Sequence, residues 1–85
     1  MRDRAVTGGA HLPIGAVSER TGLTVKTIRF YSDQAIVPST YRDHAGRRMY
    51  DADSVARLTL VRTLRELGMD LSTIKRVLDH ELSLA

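Results

Sequence analysis

The tetrapeptide Thr21-Gly22-Leu23-Thr24 places the tightest limit on how this chain can fold. Glycine suits the left-handed residue that ends a helix, and the Thr24 hydroxyl can cap the helix that follows. On its N-terminal side, residues 15–21 read as a short helix that buries Ile14 and Val17. On its C-terminal side, a second helix is predicted from Val25 to about Gln34. A link this short forces two short helices to cross closely, as in a helix-turn-helix. Leu12-Pro13-Ile14 enters the first helix in extended form, because proline biases its predecessor away from helix.

The second helix has two unlike sides. At about 100° per residue, Val25, Ile28 and Ser32 fall together, opposite Lys26, Thr27, Phe30 and Gln34, with Arg29 and Tyr31 on the flanks. A phenylalanine beside lysine and threonine is unusual on a face meant only for water. It suits a partner that offers both phosphates and thymine methyl groups. The competing expectation is that Phe30 folds back into a thin core.

Ile36-Val37-Pro38 leaves that helix. Residues 39–42 and 47–50 are β-favouring runs around Asp43-His44-Ala45-Gly46, the pattern of a hairpin. Arg42, Arg47 and Arg48 sit at its tip and second strand, interleaved with Tyr41 and Tyr50. Guanidinium groups suit phosphate oxygens and minor-groove edges, so the hairpin reads as the wing of a winged domain. The alternative is a solvated hairpin whose arginines blunt an edge strand.

Two further helices follow. Asp51 or Asp53 can cap the third, in which Val55, Leu58, Val61, Leu64 and Leu67 recur at threes, Leu60 adds a flank, and Gly68 closes the end. Asp70 caps the fourth, with Met69 and Ile74 at the two ends of a hydrophobic staple. Ile74, Val77, Leu78 and Leu82 are expected to line its inner face. The pair is expected to run antiparallel and support the basic unit, its apolar stripes being core rather than a cofactor groove. The fold class is therefore mainly α: a winged helix-turn-helix of four helices and a small β-hairpin wing. Residues 1–11 carry a Gly-Gly and no periodicity and read as a flexible tail. Residues 12–82 form one domain: helix-turn-helix at about 15–34, wing at about 37–50, helix pair at about 52–82. The apolar register runs on to Leu82 and Leu84 without a closing Gly, Pro or basic cap, so the natural protein is expected to continue beyond residue 85.

Composition then narrows the function. A chain of 85 residues buries only about 60% of its unfolded surface, which leaves little room for an enzyme pocket. It has no cysteine, hence no disulfide and no thiolate metal site. His11, His44 and His80 lack metal-ligand spacing. Ser18, Ser32, Ser39 and Ser72 have no His and carboxylate at motif spacing, and Asp51 and Asp53 are caps before they are acid–base catalysts. No glycine-rich phosphate loop is present. No catalytic, cofactor-binding or metal site is assigned, and the chain is not expected to be an enzyme. Its charge-free stretches fall short of the roughly 20 apolar residues of a membrane span. Arg2 and Arg4 are not followed by a signal-peptide apolar region, so the expected location is the cytoplasm. The net charge of +3 is unevenly placed. Residues 1–50 hold eight basic and four acidic side chains, and residues 51–85 five and six. A basic half joined to a near-neutral half suits an anionic partner.

From Pro13 to about residue 80 the chain resembles the N-terminal DNA-binding domain of the MerR family of bacterial transcription regulators. The resemblance is carried by Thr27-Ile28-Arg29-Phe30-Tyr31, Gly46-Arg47-Arg48-Met49-Tyr50 and Arg65-Glu66-Leu67-Gly68-Met69, in that order and at the family's usual separation. It implies binding to a pseudo-palindromic operator as a homodimer, held by a helix that this chain does not include. It also implies bending and untwisting of a promoter so that RNA polymerase engages it, a use of DNA shape. The matching second-helix contacts are Lys26, Thr27, Arg29, Phe30 and Tyr31, and those of the wing are Tyr41, Arg42, Arg47 and Arg48. The partner the resemblance implies is double-stranded promoter DNA at the nucleoid, with RNA polymerase reached only through the promoter and no membrane expected. Three departures stand out. Ala35 replaces a usual Gly and strains that turn, Arg47 replaces a usual Tyr, and Phe30 is often Tyr. Two other functions fit the residues alone: a small excisionase-like architectural DNA-binding protein, and a protein-interaction module whose basic face meets an acidic partner.

Overall fold

The structure, a computed structural model, describes residues 11–84, with side-chain surroundings as far as His80. In chain order the elements are β1 (Leu12–Pro13), α1 (Ile14–Thr21), α2 (Val25–Asp33), β2 (Tyr41–Arg42), β3 (Arg48–Tyr50), α3 (Ala52–Glu66) and α4 (Leu71–Leu84). The four helices and the wing are those the sequence predicts. The expected tail at residues 1–11 lies outside the described residues except for His11, whose ring meets that of Tyr41 edge-on at 5.0 Å.

Helix α1 ends at Gly22 (φ 78°), whose N–H bonds the Ser18 carbonyl at 2.9 Å. The link is held by its own side chains. The Thr21 hydroxyl donates to the Val17 carbonyl at 2.9 Å and accepts the Leu23 N–H at 3.2 Å. The Arg62 guanidinium reaches across from α3 to the Thr21 carbonyl at 2.8 Å, satisfying an acceptor that the helix end leaves open. The left-handed dihedral of Gly22 is what calls for glycine; a Cβ there would lie 2.8 Å from the Arg62 guanidinium, which a side chain this flexible can relieve by shifting.

Thr24 caps α2 by accepting the Thr27 N–H at 3.1 Å. At the other end the Ala35 N–H bonds the Ser32 carbonyl (3.1 Å) and the Ile36 N–H bonds the Tyr31 carbonyl (2.9 Å). This pair of bonds is the Schellman closure, whose pivotal residue is left-handed. Here that residue is Ala35, at φ 58°, the strained position the sequence singles out. Ile36 and Val37, read from sequence as merely leaving the helix, turn back into the core and are 8% and 1% exposed.

The wing is more firmly attached than a simple hairpin. The sheet is three-stranded in the order β1-β3-β2, all antiparallel, with Leu12 opposite Tyr50, Tyr41 opposite Met49 and Arg42 opposite Arg48. The extended entry at Leu12-Pro13 thus pairs with β3 and covers its inner edge. At the tip, the Asp43 N–H bonds the Arg47 carbonyl and the Gly46 N–H bonds the Asp43 carbonyl, each at 2.9 Å. With Gly46 left-handed, at φ 80°, this is a three-residue hairpin loop.

Asp51 caps α3 by accepting the Ser54 N–H at 2.9 Å, and Asp70 caps α4 by accepting the Thr73 N–H at 2.9 Å. Val17, Ile28, Tyr50, Leu58, Val61 and Ile74 are fully buried and join all four helices to β3. Two expected core residues lie outside. Leu67 is 78% exposed. A repeat of three falls about 60° short of a full turn at each step, so Leu67 faces away from Leu58, and α3 has by then ended. Val77, 40% exposed, is likewise turned from the line through Ile74 and Leu78, both buried. The Leu82 side chain lies outside those described.

An alanine held left-handed costs about 1–2 kcal/mol, part of which glycine's greater freedom in the unfolded chain offsets. Ala35→Gly is therefore expected to stabilise the domain by about 1 kcal/mol. Thermal melting should register this as a rise of about 5 °C. An unchanged or lower Tm would contradict strain at this turn.

Candidate nucleic-acid interface

The outward side of α2 carries Lys26, Arg29, Phe30 and Asp33, all exposed. Phe30 is 45% exposed, so it is presented outward rather than folded into the core. Thr27 is half-buried, and its hydroxyl oxygen accepts the Thr24 hydroxyl at 2.9 Å, leaving its own hydrogen to donate elsewhere. Tyr31 needs correction. The helical wheel puts it on a flank, whereas only 6% of it is exposed. Its ring belongs to the core because the Schellman turn folds Ile36 back beside it. The remaining edge of Tyr31 joins Lys26, Thr27, Phe30, Arg65 and Leu71 around an open groove of about 470 Å³.

The wing arginines have three different settings. Arg42 donates to the Gly46 carbonyl at 3.0 Å and has no carboxylate partner among the described residues. Arg47 turns both Nε (2.8 Å) and Nη2 (2.7 Å) onto Oδ2 of Asp43. Oδ1 of the same carboxylate accepts the N–H groups of Ala45 (3.0 Å) and Arg47 (2.9 Å). One aspartate thus fixes both the loop and its arginine. The Arg47 N–H, followed by the Arg47 guanidinium, holds the Asp43 carboxyl below the usual carboxylate range.

Arg48, which the sequence offers as a wing contact with Arg42 and Arg47, has a side chain only 18% exposed. Side chains alternate along a strand, so Arg48 shares the inward face with Tyr50. There it donates to Oδ1 of Asp33 at 2.9 Å and to the Arg29 carbonyl at 3.3 Å, both on α2. Tyr41, directly opposite Met49, points to the other face of the hairpin, and the structure does not bring it beside Arg42.

Between α2 and the wing lies a groove of about 300 Å³. Arg29 enters it from the helix and Arg42, Arg47 and Arg48 from the wing, over a floor that includes Pro13 and Ile14. With Lys26 beyond it, this side presents five cations against the two carboxylates of Asp33 and Asp43. Two contributors escape the sequence reading. Asp33 is one, because an acid on a basic face carries no motif signal. Arg65, in the last turn of α3, is the other: it donates to the Met69 carbonyl at 3.0 Å and lines the groove around Lys26. Its only signal is its place in the Arg65-Glu66-Leu67-Gly68-Met69 run. Among the described residues there is no cluster of three or more metal-ligating side chains, and no helix is long and apolar enough to cross a membrane.

Known proteins resemble the chain over most of its length. The family description "MerR HTH family regulatory protein" matches residues 12–81. Nodulation protein NolA of Bradyrhizobium sp. (strain NC92) is 39% identical over 71 residues, covering 84% of this chain and 30% of NolA. The HTH-type transcriptional regulator ZntR homolog of Haemophilus influenzae is 36% identical over 70 residues, covering 82% of this chain and 52% of that protein. The chain thus spans about half or less of the length of these relatives. Among solved structures, HiNmlR, a MerR family regulator lacking the sensor domain and bound to promoter DNA, superposes with a TM-score of 0.79 at 27% identity. That match covers 86% of this chain and 55% of HiNmlR.

The wing geometry sets a pH dependence. Because Asp43 is more acidic in the folded chain than in the unfolded one, its contribution to wing order is complete above the ordinary carboxylate pKa, about 3.9. It is lost as pH falls through the lower folded value. In an NMR titration the amide shifts of Ala45 and Arg47 should move together with a midpoint below about 3.9. A midpoint at or above that value would mean that the carboxylate does not hold the loop.

Proposed function

The chain belongs to the MerR helix-turn-helix family of regulatory proteins, and from this we propose that it binds promoter DNA through the face shared by α2 and the wing. The observation that carries the reading is the convergence of Arg29 with Arg42 and Arg47 around one groove, beside an exposed Phe30 and Lys26. A helix of this kind fits a major groove, where Lys26, Thr27, Arg29 and Phe30 meet base edges and thymine methyls. Arg42 and Arg47 take phosphate oxygens beside it, and Arg65 takes a further phosphate on the far side of Lys26. Tyr31 contributes its hydroxyl edge alone, and Tyr41 brushes the backbone from the outer face of the wing.

The full regulator acts in the cytoplasm at the chromosome. It binds a pseudo-palindromic operator as a homodimer through a helix outside this chain, and distorts the promoter so that RNA polymerase engages it. The likeness to a promoter-bound regulator supports this reading, and the comparisons lend none to an excisionase-like role or an acidic protein partner.

Titrating a fluorescent duplex with the chain at increasing salt tests the proposal. Three phosphate contacts predict that log K falls against log[salt] with a slope of about −3, and Arg42→Ala should reduce that slope by about 1. Lys26→Ala or Arg29→Ala should change the preferred sequence, by about 1–3 kcal/mol at the base concerned. Affinity independent of salt, or sequence preference unmoved by both substitutions, would contradict the assignment.

A further inference from the structure

Asp33 is out of place by two criteria. It is an acid in the last turn of α2, where the helix dipole disfavours negative charge, and it stands on the side that carries Lys26, Arg29, Arg42 and Arg47. Among the described residues its ion-pair partner is Arg48, which reaches it from β3 at 2.9 Å and donates a second N–H to the Arg29 carbonyl at 3.3 Å. The two arms of that guanidinium therefore grip the C-terminal end of α2 at a carboxylate and a carbonyl four residues apart, one helical turn. The fork is planar and rigid, so this grip fixes an angle as well as a distance. Two residues further along β3, the Tyr50 hydroxyl meets Ser32 at 2.7 Å.

We infer that Arg48 and Asp33 are positioning residues: their ion pair, together with the Arg29 carbonyl, sets the angle at which the arginine wing stands to helix α2. The inference rests on the DNA-binding reading above and deepens it, since it couples the helix that reads bases to the wing that holds phosphates. It also reassigns Arg48. Asp33 occupies the guanidinium that a phosphate would otherwise take, so the charge of Arg48 is spent on geometry and Arg42 and Arg47 are left to meet the backbone.

The test uses two measurements on the chain as it stands. The absence of cysteine allows spin labels to be placed cleanly at His44→Cys on the wing tip and Arg76→Cys on α4. Pulsed dipolar spectroscopy of the free protein should show a narrow label–label distance distribution that broadens equally in Asp33→Asn and Arg48→Gln and no further in the double variant. Asp33→Glu should restore the narrow distribution. A width unchanged by Asp33→Asn overturns the inference; Asp33 is 61% exposed, so this variant keeps the fold.

The second measurement uses a duplex selected by the unaltered chain from a library with a randomised core, and a scrambled version of it. Asp33→Asn should lower the ratio of selected to scrambled affinity by about tenfold, with scrambled affinity unchanged or slightly raised. Equal tightening on both duplexes would mean that Arg48, once freed, is a phosphate contact, and would overturn the inference. If the unaltered chain selects no duplex, the DNA-binding reading fails, and the label distances alone decide whether the grip exists.

Discussion

The seam between β3 and the C-terminal half of α2 is the contact on which the rest of the structure depends. Tyr50 is fully buried there, and its hydroxyl lies 2.7 Å from that of Ser32. Ser32 gives its own proton to the Val37 carbonyl at 3.1 Å, so Tyr50 is the donor. Relative magnitudes divide the labour. Burying a side chain of this size contributes about 2 kcal/mol or more, a neutral hydrogen bond about 1 kcal/mol, and an ion pair near solvent less than that. Apolar burial therefore brings strand and helix together, and the polar contacts choose the angle. The same seam explains why a wing with such short strands is ordered, since β3 is held by β1, by β2 and by the helix at once.

The two acid–arginine pairs on the basic face differ in kind. The Arg47 side chain is 67% exposed, and its pairing with Asp43 is worth little in water. A phosphate oxygen offers an equally strong charge-assisted bond, so Arg47 can exchange one anion for another while Asp43 keeps the loop through two backbone N–H groups. Arg48 is shielded and bound at two points on another element, so exchange would release the angle between wing and helix while the buried seam stays closed. Arrays of arginine repel one another, and a thin domain has few other means to hold them close. The carboxylates supply that means and lower the net charge of the face only in part.

Much of this was legible in the sequence because it is local. Gly22, Thr24, Asp51, Gly68 and Asp70 act on neighbours within a few residues, and each does what its type and position predict. The strain at Ala35 was legible too, but only through the resemblance, because alanine stands where the family usually has glycine. What stayed hidden depends on contacts distant in sequence or on small angular errors. Pairing of Leu12 with Tyr50 spans 38 residues and leaves no periodic trace. Leu67 follows a repeat of three that drifts off the buried face, and Tyr31 sits where a wheel cannot distinguish flank from core. In the interface, the residue types were readable but their partners were not. Arg47 and Arg48 are adjacent and chemically identical, and what separates the exposed one from the tethered one is the partner of each, Asp43 within the loop and Asp33 on α2.

The central claim is that α2 and the wing form one surface that engages a single duplex as a unit. Adding unlabelled duplex to the isotope-labelled chain and following backbone amide shifts tests it most directly. The account predicts that Lys26, Arg29 and Phe30 on the helix and Arg42 and Arg47 on the wing move together, along one binding curve with one dissociation constant. Shifts confined to only one of these elements, separate curves for the two, or a response centred on residues outside both would contradict it.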